Sequence, residues 1–83
     1  MQIQVRYFAS LREVLGSGET LSLGAATTVA AVRDALIARS PGHARALARS
    51  RAVRTALNQT LCEESAIVAD DAELAFFPPV TGG

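Results

Sequence analysis

Only one stretch of this 83-residue chain has the spacing of a substantial amphipathic helix, and that limits what the chain can fold into. Val29, Val32 and Leu36 fall at i, i+3 and i+7 and make a single apolar stripe. Thr27 or Thr28 offers an N-cap oxygen. The helix is predicted to run to about Ser40, with Arg33 and Arg39 facing water and Pro41-Gly42 ending it. One helix buries one stripe, so the remaining apolar residues need a sheet to lie against it.

The flanking sequence supplies strands. Residues 2–9 alternate, with Ile3, Val5 and Tyr7 on one side and Gln2, Gln4, Arg6 and Phe8 on the other. Ser10 is placed to cap a short helix over 11–15 that Gly16 ends. After a Ser17-Gly18 turn, residues 19–23 alternate again, Leu21 and Leu23 inward, as a hairpin partner of the first strand. Beyond the main helix, 43–51 read as a weaker helix with Leu47 inward. Residues 53–57 form a third strand, Asn58-Gln59 a turn, 60–62 a short return strand, and 69–72 a second turn. The last strand is 73–77, with Leu74 and Phe76 on one face and Ala75 and Phe77 on the other. The order is ββαβ(β)β. The class is α+β, a mixed sheet on one main helix, with a domain over 1–77 and a flexible tail over 78–83. In the simplest closure the first and last strands lie parallel at the sheet centre.

The tail reads Pro78-Pro79-Val80-Thr81-Gly82-Gly83. Two prolines stop the strand and hold the backbone extended, and two β-branched residues favour further extension. At roughly 3.3 Å per residue the tail spans on the order of 20 Å, enough to enter another protein's pocket. Gly-Gly fits a channel that a wider residue would block. The terminal carboxylate is ionised at neutral pH and needs activation, as an acyl phosphate or adenylate, before a nucleophile can attack it. The bland alternative is an ordinary disordered end.

If the first and last strands are parallel neighbours, Phe8 and Phe77 emerge at the same end of the outer sheet face, where the tail also leaves. Leu61, after the Asn58-Gln59 turn, is placed to join them. That cluster reads as a protein interface; the alternative is a loop that covers the rings.

Composition excludes more than it assigns. The chain is one domain, its net charge of zero argues against nucleic acid, and a single cysteine, Cys62, excludes an internal disulfide. No signal peptide opens it and no apolar run approaches the roughly 18–20 residues of a membrane span, so a cytoplasmic protein is expected. His43 has no metal-ligand spacing and reads as a surface residue; Cys62 lacks a neighbouring base and reads as structural rather than redox-active. No metal site, phosphate loop or Ser/His/Asp set is present. Arg39, Arg45, Arg49, Arg51 and Arg54 lie mid-chain, and Glu63, Glu64, Asp70, Asp71 and Glu73 precede the tail. These read as two solvated faces, or as an acidic segment that docks the tail onto a basic partner.

Three segments carry a resemblance: the eight-residue ending from Phe76 to Gly83, Asn58-Gln59-Thr60-Leu61, and Tyr7-Phe8-Ala9 before Leu11-Arg12-Glu13. Over its whole length the chain resembles the molybdopterin synthase small subunits, sulfur carriers of the ubiquitin-like β-grasp type. The resemblance implies that Gly83 is adenylated by an E1-like activating enzyme using ATP, and that a sulfur donor protein then converts it to a thiocarboxylate. With Thr81 and Gly82 it would enter the large synthase subunit, which supplies the catalytic residues, and donate sulfur to the cyclic pyranopterin phosphate precursor. A heterotetramer with that subunit is implied. Phe8, Leu61, Phe77, Pro78, Pro79 and Val80 fall where the family packs against it. No tightly bound cofactor, nucleic acid or membrane is implied. Asp70-Asp71 departs from the family's usual turn glycine, though Asp tolerates left-handed backbone. The competing readings are a carrier for thiazole synthesis or tRNA thiolation, and an interaction module whose tail never reacts.

Overall fold

The computed structural model describes residues 1–79. In chain order the elements are β1 (Gln2–Tyr7), α1 (Ser10–Leu15), β2 (Gly18–Ser22), β3 (Thr27–Thr28), α2 (Val29–Ile37), α3 (Pro41–Leu47), β4 (Arg54–Leu57), β5 (Thr60–Cys62), β6 (Ile67–Val68) and β7 (Glu73–Phe77). A five-stranded sheet has the order β2-β1-β7-β4-β5. β1 and β7 are parallel at its centre, with Val5 beside Leu74 and Tyr7 beside Phe76, and every other pair in it is antiparallel. This is the β-grasp closure, one sheet face wrapped over α2.

The alternation in β1 sets the core. Ile3, Val5 and Tyr7 are buried and meet Leu74 and Phe76 of β7, Val29, Val32 and Leu36 of α2, Leu47 of α3 and Val68 of β6. Tyr7 and Phe76 stack with ring centres 6.2 Å apart. At the edge, Gly18 is required by contact: a Cβ there would collide with the Val5 carbonyl oxygen as β2 crosses β1. The β4–β5 hairpin turns through Asn58 and Gln59 at φ 50° and 71°, the left-handed pair of a two-residue turn that matches strand twist. Asp71 sits at φ 64°, as the turn before β7 demands, and its N–H donates to the Gln2 carbonyl at 2.8 Å.

Several expectations need correcting. Ala9, at φ 53°, and not Ser10 stands at the N-cap of α1; the chain turns there because the Phe8 N–H still donates to the Phe76 carbonyl at 3.1 Å. α2 is capped by the Thr28 hydroxyl, which accepts from the Ala31 N–H, but it ends at Ile37, before Ser40. Ser40 precedes a proline, which forces it extended (φ −162°, ψ 162°), and it then caps α3 with Pro41 in the first turn. Pro41-Gly42 therefore opens a helix rather than closing one. That helix covers Pro41–Leu47 rather than 43–51.

Arg33 does not face water. It lies four residues after Val29, on the apolar stripe, and is 3% exposed. Its Nε donates to the Leu47 carbonyl at 2.7 Å and its Nη2 to the carbonyls of Ala48 and Arg51 at 2.7 and 3.1 Å. Its Nη1 meets Glu64 at 2.9 Å. The carbonyls at the end of α3 are thus satisfied by a guanidinium, which is why the helix stops there.

The arginine and acidic segments are joined at one point. Glu64 joins Arg33 and Arg49, and Arg49 also pairs with Asp34 at 2.7 Å. The sequence reading also lacked the small β3–β6 ladder, in which Thr27 opposes Val68 and Thr28 opposes Ile67. The β-branched pairs Thr27-Thr28 and Ile67-Val68 were its signal.

Candidate functional site

The parallel register of β1 and β7 builds the site. Gln4, Arg6 and Phe8 of one strand and Glu73, Ala75 and Phe77 of the other share the outer sheet face. Phe8 follows β1 and Phe77 ends β7, and the Phe8 N–H donates to the Phe76 carbonyl, so both residues lie at the end from which Pro78 continues. Phe8 is 41% exposed and Phe77 half-buried, so no loop among the described residues seals the rings. Leu61 is 61% exposed but does not touch the pair in register: it opposes Ala56, which opposes Ala75, which lies beside Arg6. Ala56 and Ala75 therefore separate Leu61 from Arg6 in that row, and Leu61 stands apart from the rings. Pro78 and Pro79 follow, half-buried. Val80, Thr81, Gly82 and Gly83 lie outside the described residues.

Sequence reasoning placed Arg6 on this face but missed Arg54. Arg54 is the cross-strand partner of Phe77, and Arg6 is the parallel neighbour of Ala75. Their strand parity was the available signal. Behind the face, a groove lined by Leu11, Val14, Arg45, Arg51 and Val53 borders Pro78.

A polar relay fastens α3 to the sheet edge. The Tyr7 hydroxyl donates to Glu19 Oε2 at 2.7 Å, and His43 Nε2 meets the same oxygen at 2.8 Å. His43 Nδ1 lies 2.7 Å from the Ser40 hydroxyl, and Arg39 approaches Glu19 at 3.4 Å. His43 is accordingly no surface residue; its side chain is 15% exposed, because Glu19 at the inward position of β2 needs a partner. Burial alone would raise the Glu19 carboxyl. Hydrogen bonds from His43 and Tyr7, with the charges of His43 and Arg39, outweigh it and hold the carboxyl below its ordinary value. Burial first, then the hydrogen bond to Glu19, pushes the Tyr7 hydroxyl upward.

Cys62 is half-buried with its sulfur 3.5 Å from the Thr55 hydroxyl, the contact of a packing residue. Among the described residues no three His, Cys, Asp or Glu side chains converge as metal ligands, and no helix is long and apolar enough to cross a membrane.

Comparison with known proteins agrees with that geometry. The ThiS family model matches residues 5–83. The molybdopterin synthase sulfur carrier subunit of Escherichia coli is 41% identical over 81 residues, 98% of this chain and 99% of that one. Among solved structures, SAMP1 from Haloferax volcanii superposes with a TM-score of 0.76 at 29% identity, covering all of both chains. A chain from a complex of subunits 1 and 2 of the Helicobacter pylori molybdopterin-converting factor shares the fold at a TM-score of 0.70 and 20% identity, again covering both chains in full. The chain belongs to the ThiS family of ubiquitin-like β-grasp proteins, and within it to the molybdopterin synthase sulfur carrier subunits.

Proposed function

We propose that the chemistry of this carrier resides in the Gly83 carboxylate and runs in three steps. An E1-like enzyme joins the carboxylate to the α-phosphorus of ATP and releases pyrophosphate. Sulfur from a donor protein then displaces AMP and leaves a thiocarboxylate. The tail enters the large synthase subunit, where the thiocarboxylate sulfur attacks the cyclic pyranopterin phosphate precursor; hydrolysis returns the carboxylate, and a second transfer completes the dithiolene. Thr81 and Gly82 would line the channel, and Phe8, Leu61, Phe77, Pro78, Pro79 and Val80 would hold the carrier to the large subunit. The Helicobacter pylori structure, with subunits 1 and 2 together, supports that partner. Because activation uses ATP, the reading assigns the protein to the cytoplasm.

The observation that carries this is the placement of Phe77 and Pro78. The central strand ends at an exposed apolar face, so docking that face aims whatever follows Pro79 into the partner. Intact mass after incubation with the activating enzyme, ATP and a sulfur donor tests it. One oxygen replaced by sulfur is the expected change; an unaltered mass in the presence of a competent activating enzyme refutes the reading. Deletion of Gly83 should abolish that change and leave thermal unfolding where it was, since among the described residues every core side chain lies at or before Phe76. Co-purification with a thiazole or tRNA-thiolating enzyme instead would reassign the pathway.

A further inference from the structure

Of the eight arginines, Arg33, Arg39 and Arg49 are consumed in ion pairs, while Arg6, Arg12, Arg45, Arg51 and Arg54 make none among the described residues. Four of those five adjoin the point where the tail leaves. Arg54 is paired with Phe77 across the ladder, Arg6 lies beside Ala75, and Arg45 and Arg51 line the groove that Pro78 borders. Arg51 is steadied by its Nε, which donates to the Arg45 carbonyl at 3.2 Å. The opposite end of β7 is acidic: Asp70 and Asp71 form the turn before it and Glu73 begins it. The net charge is zero, so the basic end reflects placement rather than an excess of arginine.

We infer that the tail-bearing end is a basic collar that fits an acidic surface on the large subunit receiving the tail. The inference rests on the carrier reading above and adds the chemistry of the partner. It differs from the idea of an acidic segment meeting a basic partner, since Asp70, Asp71 and Glu73 lie at the end of β7 away from Pro78. A protein is the fitting occupant because Arg6 and Arg54 flank an apolar centre of Phe8, Phe77, Ala75 and Ala56 on the outer face, while Arg45 and Arg51 line the groove on the other side of Pro78, the pattern of a dry interface core with a charged rim. Arginine at such a rim acts mainly on encounter rate and orientation, which aligns the tail before the rings are buried.

The test is stopped-flow association of the full-length chain with the large synthase subunit of the same organism, over a series of salt concentrations. The variant is R6Q/R45Q/R51Q/R54Q, with circular dichroism to show that it folds. The association rate of the unmodified chain should fall steeply with salt. The variant should associate about tenfold more slowly at low salt, with a flatter salt dependence and a smaller change in dissociation rate. Equal rates and equal salt slopes overturn the collar and leave the carrier reading standing. An unmodified chain that never binds the large subunit overturns the carrier reading, and the collar with it. Salt-dependent retention on anionic vesicles or duplex DNA, with salt-independent binding to the large subunit, also overturns the collar.

Discussion

Substituting Arg33 by methionine isolates what a buried cation does in this small core. The variant R33M keeps an unbranched apolar stem and deletes the guanidinium. The backbone carbonyls of Leu47 and Arg51 lose their guanidinium donor, that of Ala48 keeps only the Arg51 N–H at 2.8 Å, and Glu64 loses its more buried partner. Removing one member of a buried pair costs about 3–5 kcal/mol, and stranded buried acceptors about 1–3 kcal/mol each where water cannot reach them. Glu64 is a third exposed and keeps Arg49, which argues for the lower end, about 3 kcal/mol. A chain of 83 residues has a total stability of about 4–12 kcal/mol. The loss is therefore a large fraction, equivalent to a fall of about 12–24 °C in Tm for a domain of this size. Urea and thermal unfolding by circular dichroism measure it. Amide exchange should accelerate most over residues 45–53, which the guanidinium ties to α2. A loss under about 1 kcal/mol, with no change in that exchange, would refute the claim that Arg33 holds the end of α3 in place.

Three further perturbations have defined outcomes. F77D should weaken binding to the large subunit at least tenfold by calorimetric titration, because docking would bury an unpaired carboxylate; unchanged affinity removes Phe77 from the interface. Glu19 has a lowered folded pKa, so its contribution is fully present above its ordinary value of 4.5 and is lost as the pH falls through the lower folded value. Tyr7 is raised, so stability falls as the pH climbs past its ordinary 10. E19Q should flatten the acid limb of urea midpoints measured across about pH 5 to 3, and an unchanged slope would contradict the relay. Gln59→Gly should stabilise the protein by up to about 1 kcal/mol in urea, since glycine accepts the φ of 71° that glutamine adopts at a cost.

The sheet was legible because alternation over residues 2–9 and 73–77 admits one arrangement, with Ile3, Val5, Leu74 and Phe76 all inward. The Asn58-Gln59 turn followed from local chemistry alone. What escaped was settled by distant partners. Arg33 occupies an apolar stripe because carbonyls 14 to 18 residues onward await it, and His43 is drawn inward by Glu19, 24 residues earlier. A charged residue at a buried helical position signals such a partner without naming it. Phe8 and Phe77 could be assigned to one face by parity, whereas the separation of Leu61 from them required the register of β4 and β5.

Placing the first-made and last-made strands together at the middle of the sheet has a consequence for biogenesis. Gln4 must find Glu73 across almost the whole polypeptide, a contact that a partly synthesised chain cannot make. Any nascent product cut short before Phe77 leaves Ile3, Val5 and Tyr7 without their central neighbour and cannot close. Completion of the fold is thereby tied to synthesis of β7, the strand that leads into Pro78.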